Sequence, residues 1–300
     1  MSGWTFSNIP DLTGKRTIVT GGNVGLGFKS ALELARKGAE VIIACRRPES
    51  GGQAIARIYQ ELPAAKLSCL PLDLTDLTSV TRFADTFVSC HDRLDILLNN
   101  AGVVNLETLR HTGQGHEMHM ATNHYGHFAL TAHLFPLLLQ TGNARVVTVT
   151  SGAYRVGEIR FDDMDWNERH YSRTKAYGDS KLANLLFTYA LQTRFDLAGA
   201  NALSLAAHPG LAATERQQSI GIGGRLSKWL AASVETGAAP QLRAATDPAA
   251  GKGDFYGPRF GIRGPASKIK VKRKALDNAL AEELWAYTEN LTGCRFETRG

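Results

Sequence analysis

A short β-branched run, Arg16 to Thr20, breaks into Gly21-Gly22-Asn23-Val24-Gly25-Leu26-Gly27 and passes straight into a helical pattern from Lys29 to Arg36. This strand–glycine–helix join restricts the fold more than any other feature of the chain. Glycine tolerates positive φ and lets a second backbone or a ligand come close. Backbone N–H groups at a helix N-terminus, helped by the helix dipole, favour an anion such as a pyrophosphate. The spacing is Gly-x-x-x-Gly-x-Gly, not the Gly-x-Gly-x-x-Gly of the usual dinucleotide fingerprint. A tight turn with no ligand would also use glycine. The position after the first strand and before the first helix favours the phosphate.

The rest of the chain keeps the same alternation. Apolar runs at Glu40 to Cys45, Lys66 to Leu72, Leu94 to Leu98, Arg145 to Thr150, Asn201 to Ala206 and near Asp254 to Tyr256 read as strands. Between them lie helical patterns at Gly52 to Glu61 (stopped by Pro63), Leu77 to Val88, Gly115 to Leu139 as one long helix, and Lys175 to Phe195. Arg225 to Ala232, Thr236 to Ala245 and Lys274 to Glu289 follow. Thr75 or Asp76 is the expected cap of the second of these helices to follow the glycine turn's own. Nearly continuous apolar strands alternating with helices predict an α/β fold, a doubly wound (Rossmann) parallel sheet of about seven strands with helices on both faces. No composition shift or Gly/Ser linker divides residues 1–300, so one domain is expected. Ligands of such sheets sit at the carboxyl ends of the strands.

Composition narrows the setting. The chain has 300 residues, 43% hydrophobic and 21% charged, with 30 glycines against 10 prolines, which suits a packed protein rich in tight turns. The net charge of +6 is concentrated at Lys268, Lys270, Lys272, Arg273 and Lys274. That segment reads as a solvated loop and helix start, with a phosphate or membrane surface as the alternative. No aromatic residues interleave with it, so no nucleic acid partner is expected. Cys45, Cys69, Cys90 and Cys294 form no C-x-x-C pair, and Cys45 and Cys69 read as buried small hydrophobes. His111, His116, His119, His124, His127 and His133 gather around the long helix without a carboxylate pattern, so no metal is expected. Met1 to Gly14 lacks a signal-peptide pattern and no apolar run nears the ~20 residues of a membrane span. The expected location is cytoplasmic.

The second strand ends Ala44-Cys45-Arg46-Arg47, without the carboxylate that would hold the ribose hydroxyls of NAD. A guanidinium there suits a 2′-phosphate and predicts NADP(H) over NAD(H) through Arg46 and Arg47. Asp73-Leu74 closes the third strand. Its carboxylate either accepts from the adenine amino group or caps the next helix, or does both. Tyr177 and Lys181 stand four residues apart in a helical run and share a face. An ammonium beside a phenol favours the phenolate and lowers its pKa from about 10, as proton transfer near neutrality requires.

In this order the motifs resemble the short-chain dehydrogenase/reductase family over about residues 12–290: the turn Thr20 to Gly27, Asp73, Asn99-Asn100-Ala101-Gly102, Asn123, Ser151, Tyr177 with Lys181, and Pro209-Gly210 with Thr214. Ala44-Cys45-Arg46, Thr122-Asn123-His124-Tyr125-Gly126-His127-Phe128 and Ala176 to Asn184 are similar to the retinol-dehydrogenase-like branch, which also includes the WW-domain oxidoreductases. The long segment between Ser151 and Tyr177, with Asp163, Trp166 and Tyr171, points the same way. The resemblance implies hydride transfer between NADP(H) and a carbonyl or alcohol of a moderately lipophilic small molecule. It assigns Tyr177 as general acid/base, Ser151 to the substrate oxygen, Lys181 to the nicotinamide ribose and the tyrosinate, and Asn123 to a water leading to solvent. Cofactor contacts would come from Gly21, Asn23, Val24, Gly25, Leu26, Gly27, Arg46, Arg47, Asp73, Leu74, Asn100, Ala101, Gly102, Tyr177, Lys181, Pro209, Gly210 and Thr214. Residues about 211–232 resemble a substrate lid. A homo-oligomer, dimer or tetramer, is implied through the helices at Gly115 to Leu139 and Lys175 to Phe195. A tailoring enzyme of secondary metabolism and a non-catalytic NADP-binding regulator are the alternatives.

Overall fold

The computed structural model describes residues 3–104, 106–210, 226–261 and 263–297, with backbone alone over 226–233. Eight strands form one sheet: β1 (Arg16–Thr20), β2 (Glu40–Cys45), β3 (Lys66–Pro71), β4 (Ile96–Asn99), β5 (Arg145–Val149), β6 (Leu203–Ala207), β7 (Phe255–Pro258) and β8 (Ala266–Lys268). Their order is β3-β2-β1-β4-β5-β6-β7-β8, parallel except for the antiparallel β7–β8 pair. The order reverses between β1 and β4, which opens a crevice at their carboxyl ends.

Strand periodicity sorts the core onto two faces. Ile18, Ile42 and Leu97 point to one side, against α3 (Leu77–Cys90), the long helices α5 (Gly126–Gln140) and α6 (Arg173–Leu197), and α8 (Asn278–Thr292). Their neighbours Val19, Ile43 and Leu98 point to the other, against α1 (Gly25–Arg36), α2 (Pro48–Glu61) and α7 (Leu226–Thr246). Each such fully buried aliphatic side chain contributes about 1.5–3 kcal/mol. Asp76 caps α3 by accepting the Thr78 N–H at 3.0 Å.

Four expectations need correction. The stretch Gly115 to Leu139 is not one regular helix. A short α4 (Met118–Met120) runs into a π-helical turn, Ala121–Tyr125, and only then into α5. There the Gly126 N–H reaches the Ala121 oxygen, and an added Cβ at Gly126 would lie 2.3 Å from the Leu74 oxygen. The extra residue per turn lets the helix press its backbone against the end of β3. The two helices expected at Arg225 to Ala232 and Thr236 to Ala245 are a single helix, α7, because Ala238 and Leu242 are buried continuously against the sheet despite Gly237 and Pro240. Strand β8 was not expected. At three residues it is too short to show a period, and it holds the start of the basic segment, where Lys268 pairs with Asp254 at 2.6 Å. The last helix begins at Asn278, after a 3-10 turn at Arg273–Leu276, rather than at Lys274.

Candidate active site

The glycine turn leaves β1 and enters α1 as expected. Gly21 has φ +64 and Gly25 φ +55, conformations that favour glycine. An added Cβ on Gly27 would lie 2.2 Å from the Gly21 oxygen and 2.6 Å from Asn100 Nδ2, so the turn, the first helix and the loop after β4 close on one another. Asn100 Nδ2 donates to the Thr20 oxygen at 2.8 Å. The Asn100 and Ala101 N–H groups both donate to Thr20 Oγ1 at 2.9 Å. With both lone pairs taken, the Thr20 hydroxyl is left to donate, with His127 Nε2 at 2.9 Å and the Leu98 oxygen at 3.3 Å as its acceptors, and His127 Nδ1–H donates to the Asn123 oxygen at 3.1 Å. Burial holds His127 neutral, its pKa lowered to about 4.

A cleft of about 370 Å³ opens at the crevice between β1 and β4. Gly21, Asn23, Val24, Gly25, Leu26 and Gly27 line it on one side; Arg46, Arg47, Asp73 and Leu74 stand along its far end; Asn100, Ala101 and Gly102 close it. Arg46 and Arg47 are exposed at the end of β2, and no carboxylate accompanies them there. Asn23 Nδ2 donates to Ser50 Oγ at 2.7 Å and ties the turn to α2. Asp73 Oδ1 accepts from the Thr75 N–H at 3.0 Å and the Thr75 hydroxyl at 2.7 Å, so that oxygen organises the β3–α3 loop. Thr20, Ala44, Cys45, Leu72, Thr75, Val103, Met118 and Thr122 also line the cleft, although the sequence reading assigned none of them a cofactor contact. Met118 and Thr122 sit at i, i+4 just before Asn123, a spacing that would have placed them on one helical face.

A narrower cavity of about 60 Å³ adjoins the cleft and shares Leu26, Asn100, Gly102 and Val103 with it. Tyr177, Lys181, Val104, Val149, Thr150 and Pro209 complete its walls. Tyr177 and Lys181 come from α6 and are buried. Lys181 Nζ lies 5.6 Å from the Tyr177 ring centroid and donates to the Val149 oxygen at 3.1 Å. Burial lowers the Lys181 pKa to about 7. Thr150 Oγ1 donates to the Lys181 oxygen at 2.7 Å, which fastens α6 to the end of β5. Ser151 follows at once and caps the 3-10 turn Gly152–Arg155, its Oγ accepting the Ala153 N–H at 3.3 Å.

Asn123 is fully buried in the π-helical turn. Its Oδ1 accepts the Val103 N–H at 2.8 Å, and its Nδ2 donates to the Val103 oxygen at 3.1 Å and to Ser180 Oγ at 2.9 Å. The side chain therefore pins the loop after β4 to α6, which the sequence reading did not foresee. Gly210 has φ +83, and its N–H donates to His208 Nδ1 at 3.1 Å. Thr214 and the expected lid lie outside the described residues, apart from the backbone at the start of α7. Glu117 and His119 make a buried pair at 2.7 Å, a carboxylate partner that sequence spacing did not reveal. Cys45 is buried as expected, whereas Cys69 is half-buried, with its Sγ 3.8 Å from that of Cys45.

The family model for short chain dehydrogenases matches residues 15–223. Short chain dehydrogenase/reductase dpchH of Colletotrichum higginsianum is 41% identical over 71% of this chain and 58% of the relative. Human retinol dehydrogenase 12 is 37% identical over 95% of this chain and 89% of the relative. A crystal structure of an uncharacterized protein from Mycobacterium paratuberculosis superposes with a TM-score of 0.86 at 40% identity, over 99% of this chain and 100% of the other.

Proposed function

The chain belongs to the short chain dehydrogenase/reductase family of oxidoreductases, and from that premise we propose that it is an NADP-dependent carbonyl reductase or alcohol dehydrogenase acting on a moderately lipophilic small molecule. The observation that carries the reading is the continuity of the two cavities: the narrow one holding Tyr177 and Lys181 opens into the glycine-lined cleft with Arg46 and Arg47 at its far end. The cradle fits NADP(H). A Cβ at Gly27 would close it, and two guanidinium groups where the end of β2 carries no carboxylate suit a 2′-phosphate. Gly21 to Gly27 would hold the pyrophosphate, Asp73 and Leu74 the adenine, and Asn100 to Gly102 with Pro209, Gly210 and Thr214 the nicotinamide half. The bound nicotinamide supplies or accepts the hydride.

In the direction of reduction Tyr177 gives its phenolic proton to the substrate oxygen; in oxidation it takes one. Ser151 Oγ holds that oxygen in place. Lys181, buried beside the phenol, stabilises the tyrosinate by charge. Asn123 keeps Val103 and the loop after β4 in register with α6, so that the cofactor site and the proton donor stay aligned. The apolar walls, Val103, Val104, Val149 and Pro209, suit a lipophilic substrate. Residues 1–300 act as one nucleotide-binding domain with residues about 211–232 as its lid.

The test is turnover of NADPH, with NADH in parallel, against aldehydes, ketones, steroids and retinoids. Turnover of at least one carbonyl with NADPH preferred is the expected result. Tight NADPH binding without turnover, unchanged in Tyr177→Phe, would instead identify a non-catalytic regulator.

A further inference from the structure

Two titratable side chains beside Tyr177 take no part in the reaction as derived. Glu117 and His119 are both fully buried. Glu117 Oε1 lies 2.7 Å from His119 Nδ1, and Oε2 accepts the Met120 N–H at 2.8 Å, which caps α4. The Glu117 N–H donates in turn to Asp165 Oδ1 at 2.8 Å. A carboxylate accepts only, so Nδ1 carries the proton and the rotation of the imidazole is settled. Its Nε2 is buried with no partner among the described residues. The imidazole and the Tyr177 ring pack edge to face, with centroids 5.8 Å apart and planes at 61°.

Burying a carboxylate costs several kcal/mol, and an apolar side chain would fill this space more cheaply. Capping α4 accounts for Glu117 alone. It does not account for the histidine, whose second nitrogen has no partner among the described residues. The ring is held by Glu117 and packs against the phenol ring.

We propose that His119 is a positioning residue for Tyr177, its ring setting the plane in which the phenol meets the substrate oxygen, with Glu117 as the hydrogen-bond partner that stabilises the imidazole where it packs. The inference rests on Tyr177 being the acid/base. An error of ~1 Å at a reacting group costs about a hundredfold in rate, so the ring has a measurable consequence.

Two substitutions at His119 separate the bond from the ring. Asparagine places its amide nitrogen where Nδ1 was, so His119→Asn keeps Glu117 partnered but removes the ring. His119→Phe keeps a ring but leaves Glu117 without its donor. We expect His119→Asn to lower kcat about tenfold to a hundredfold, with KM for NADPH within about twofold of wild type. His119→Phe, though less stable to heat, retains kcat within about threefold. The proposal fails if His119→Asn keeps kcat within about twofold, if its KM for NADPH rises in step with the fall in kcat, or if soluble His119→Phe loses as much kcat as His119→Asn. Tyr177→Phe, assayed alongside, separates the two levels. If it stays active, the reading of the site falls. If it is inactive while His119→Asn is normal, only the positioning role falls.

Discussion

Lys181 is a fully buried amine whose pKa burial lowers to about 7, and it lies next to the phenol that is proposed to change charge. Lys181→Met keeps most of the volume and removes the ammonium. It should lower kcat by about a hundredfold or more, since general acid–base assistance is worth about 10²–10⁴, while NADPH still binds. Arg46 is exposed at the far end of the cleft, so its removal should disturb no packing. Arg46→Ala should weaken NADPH by about tenfold to a hundredfold, the value of a hydrogen bond to a charged group, and leave NADH unchanged. Equal loss for both nucleotides, measured by fluorescence titration, would remove the 2′-phosphate assignment. Gly27→Ala would set a methyl 2.2 Å from the Gly21 oxygen. It should abolish NADPH binding and cost about 1–3 kcal/mol in urea unfolding. These residues were legible because each carries its chemistry locally: a phenol four residues from an amine, an arginine where a carboxylate would sit, glycines at a strand end. Glu117 with His119 was not legible, because the second partner, the Tyr177 ring, arrives from α6, a distant stretch of chain.

At the scale of elements, what was legible depends on length. Strands β1, β2, β4, β5 and β6 bury nearly continuous apolar runs, and their positions follow from those runs, whereas β3 at the sheet edge is half-buried or exposed along its length. Strand β8 has three residues and is fixed by pairing with β7, so no local pattern announces it. The π-helical turn shifts hydrogen bonding by one residue, too small a change for periodicity to register. Yet it is what lets Gly126 approach Leu74 and brings Asn123 to Val103. Helix α8 lies across α5 and α6, with Trp285 stacked on Phe187 at 5.8 Å and edge-on to Phe128 at 4.9 Å. Arg194 of α6 lies 4.2 Å over the same indole. Trp285→Ala should therefore cost about 3–5 kcal/mol of stability, read as a lower urea midpoint. A loss below about 1 kcal/mol would mean that α8 is an ornament on the domain rather than part of its core.

For the whole molecule, that same helix bears on assembly. Phe296 also packs on Phe128 and Phe135, so this chain covers its own α5–α6 face. The homo-oligomer implied by the resemblance must use other surfaces or displace α8, and light scattering of wild type and an α8 deletion distinguishes the two. Buried histidines set the acid response. Burial lowers His124 to about 3 and His127 and His208 to about 4, so between about pH 6.5 and 4 the unfolded chain binds three protons that the folded chain refuses. Asp179, raised by burial to about 7, opposes them with one proton held by the folded state. The net of about two protons predicts a loss of roughly 2–3 kcal/mol per pH unit as pH falls through that window. Lys181 acts above it: stability of the cofactor-free protein rises from about pH 7 toward 10, where the unfolded chain alone keeps the proton. Among the described residues no helix is long and apolar enough to cross a membrane. The central claim is that one molecule joins an NADP cleft to a tyrosine proton donor. Stopped-flow absorbance of bound NADPH, mixed with a carbonyl that wild type reduces, tests this most directly. The account predicts a rapid loss of the reduced-nicotinamide signal in wild type and a rate at least about a hundredfold lower in Tyr177→Phe at unchanged NADPH affinity. Equal rates in the two proteins would contradict it.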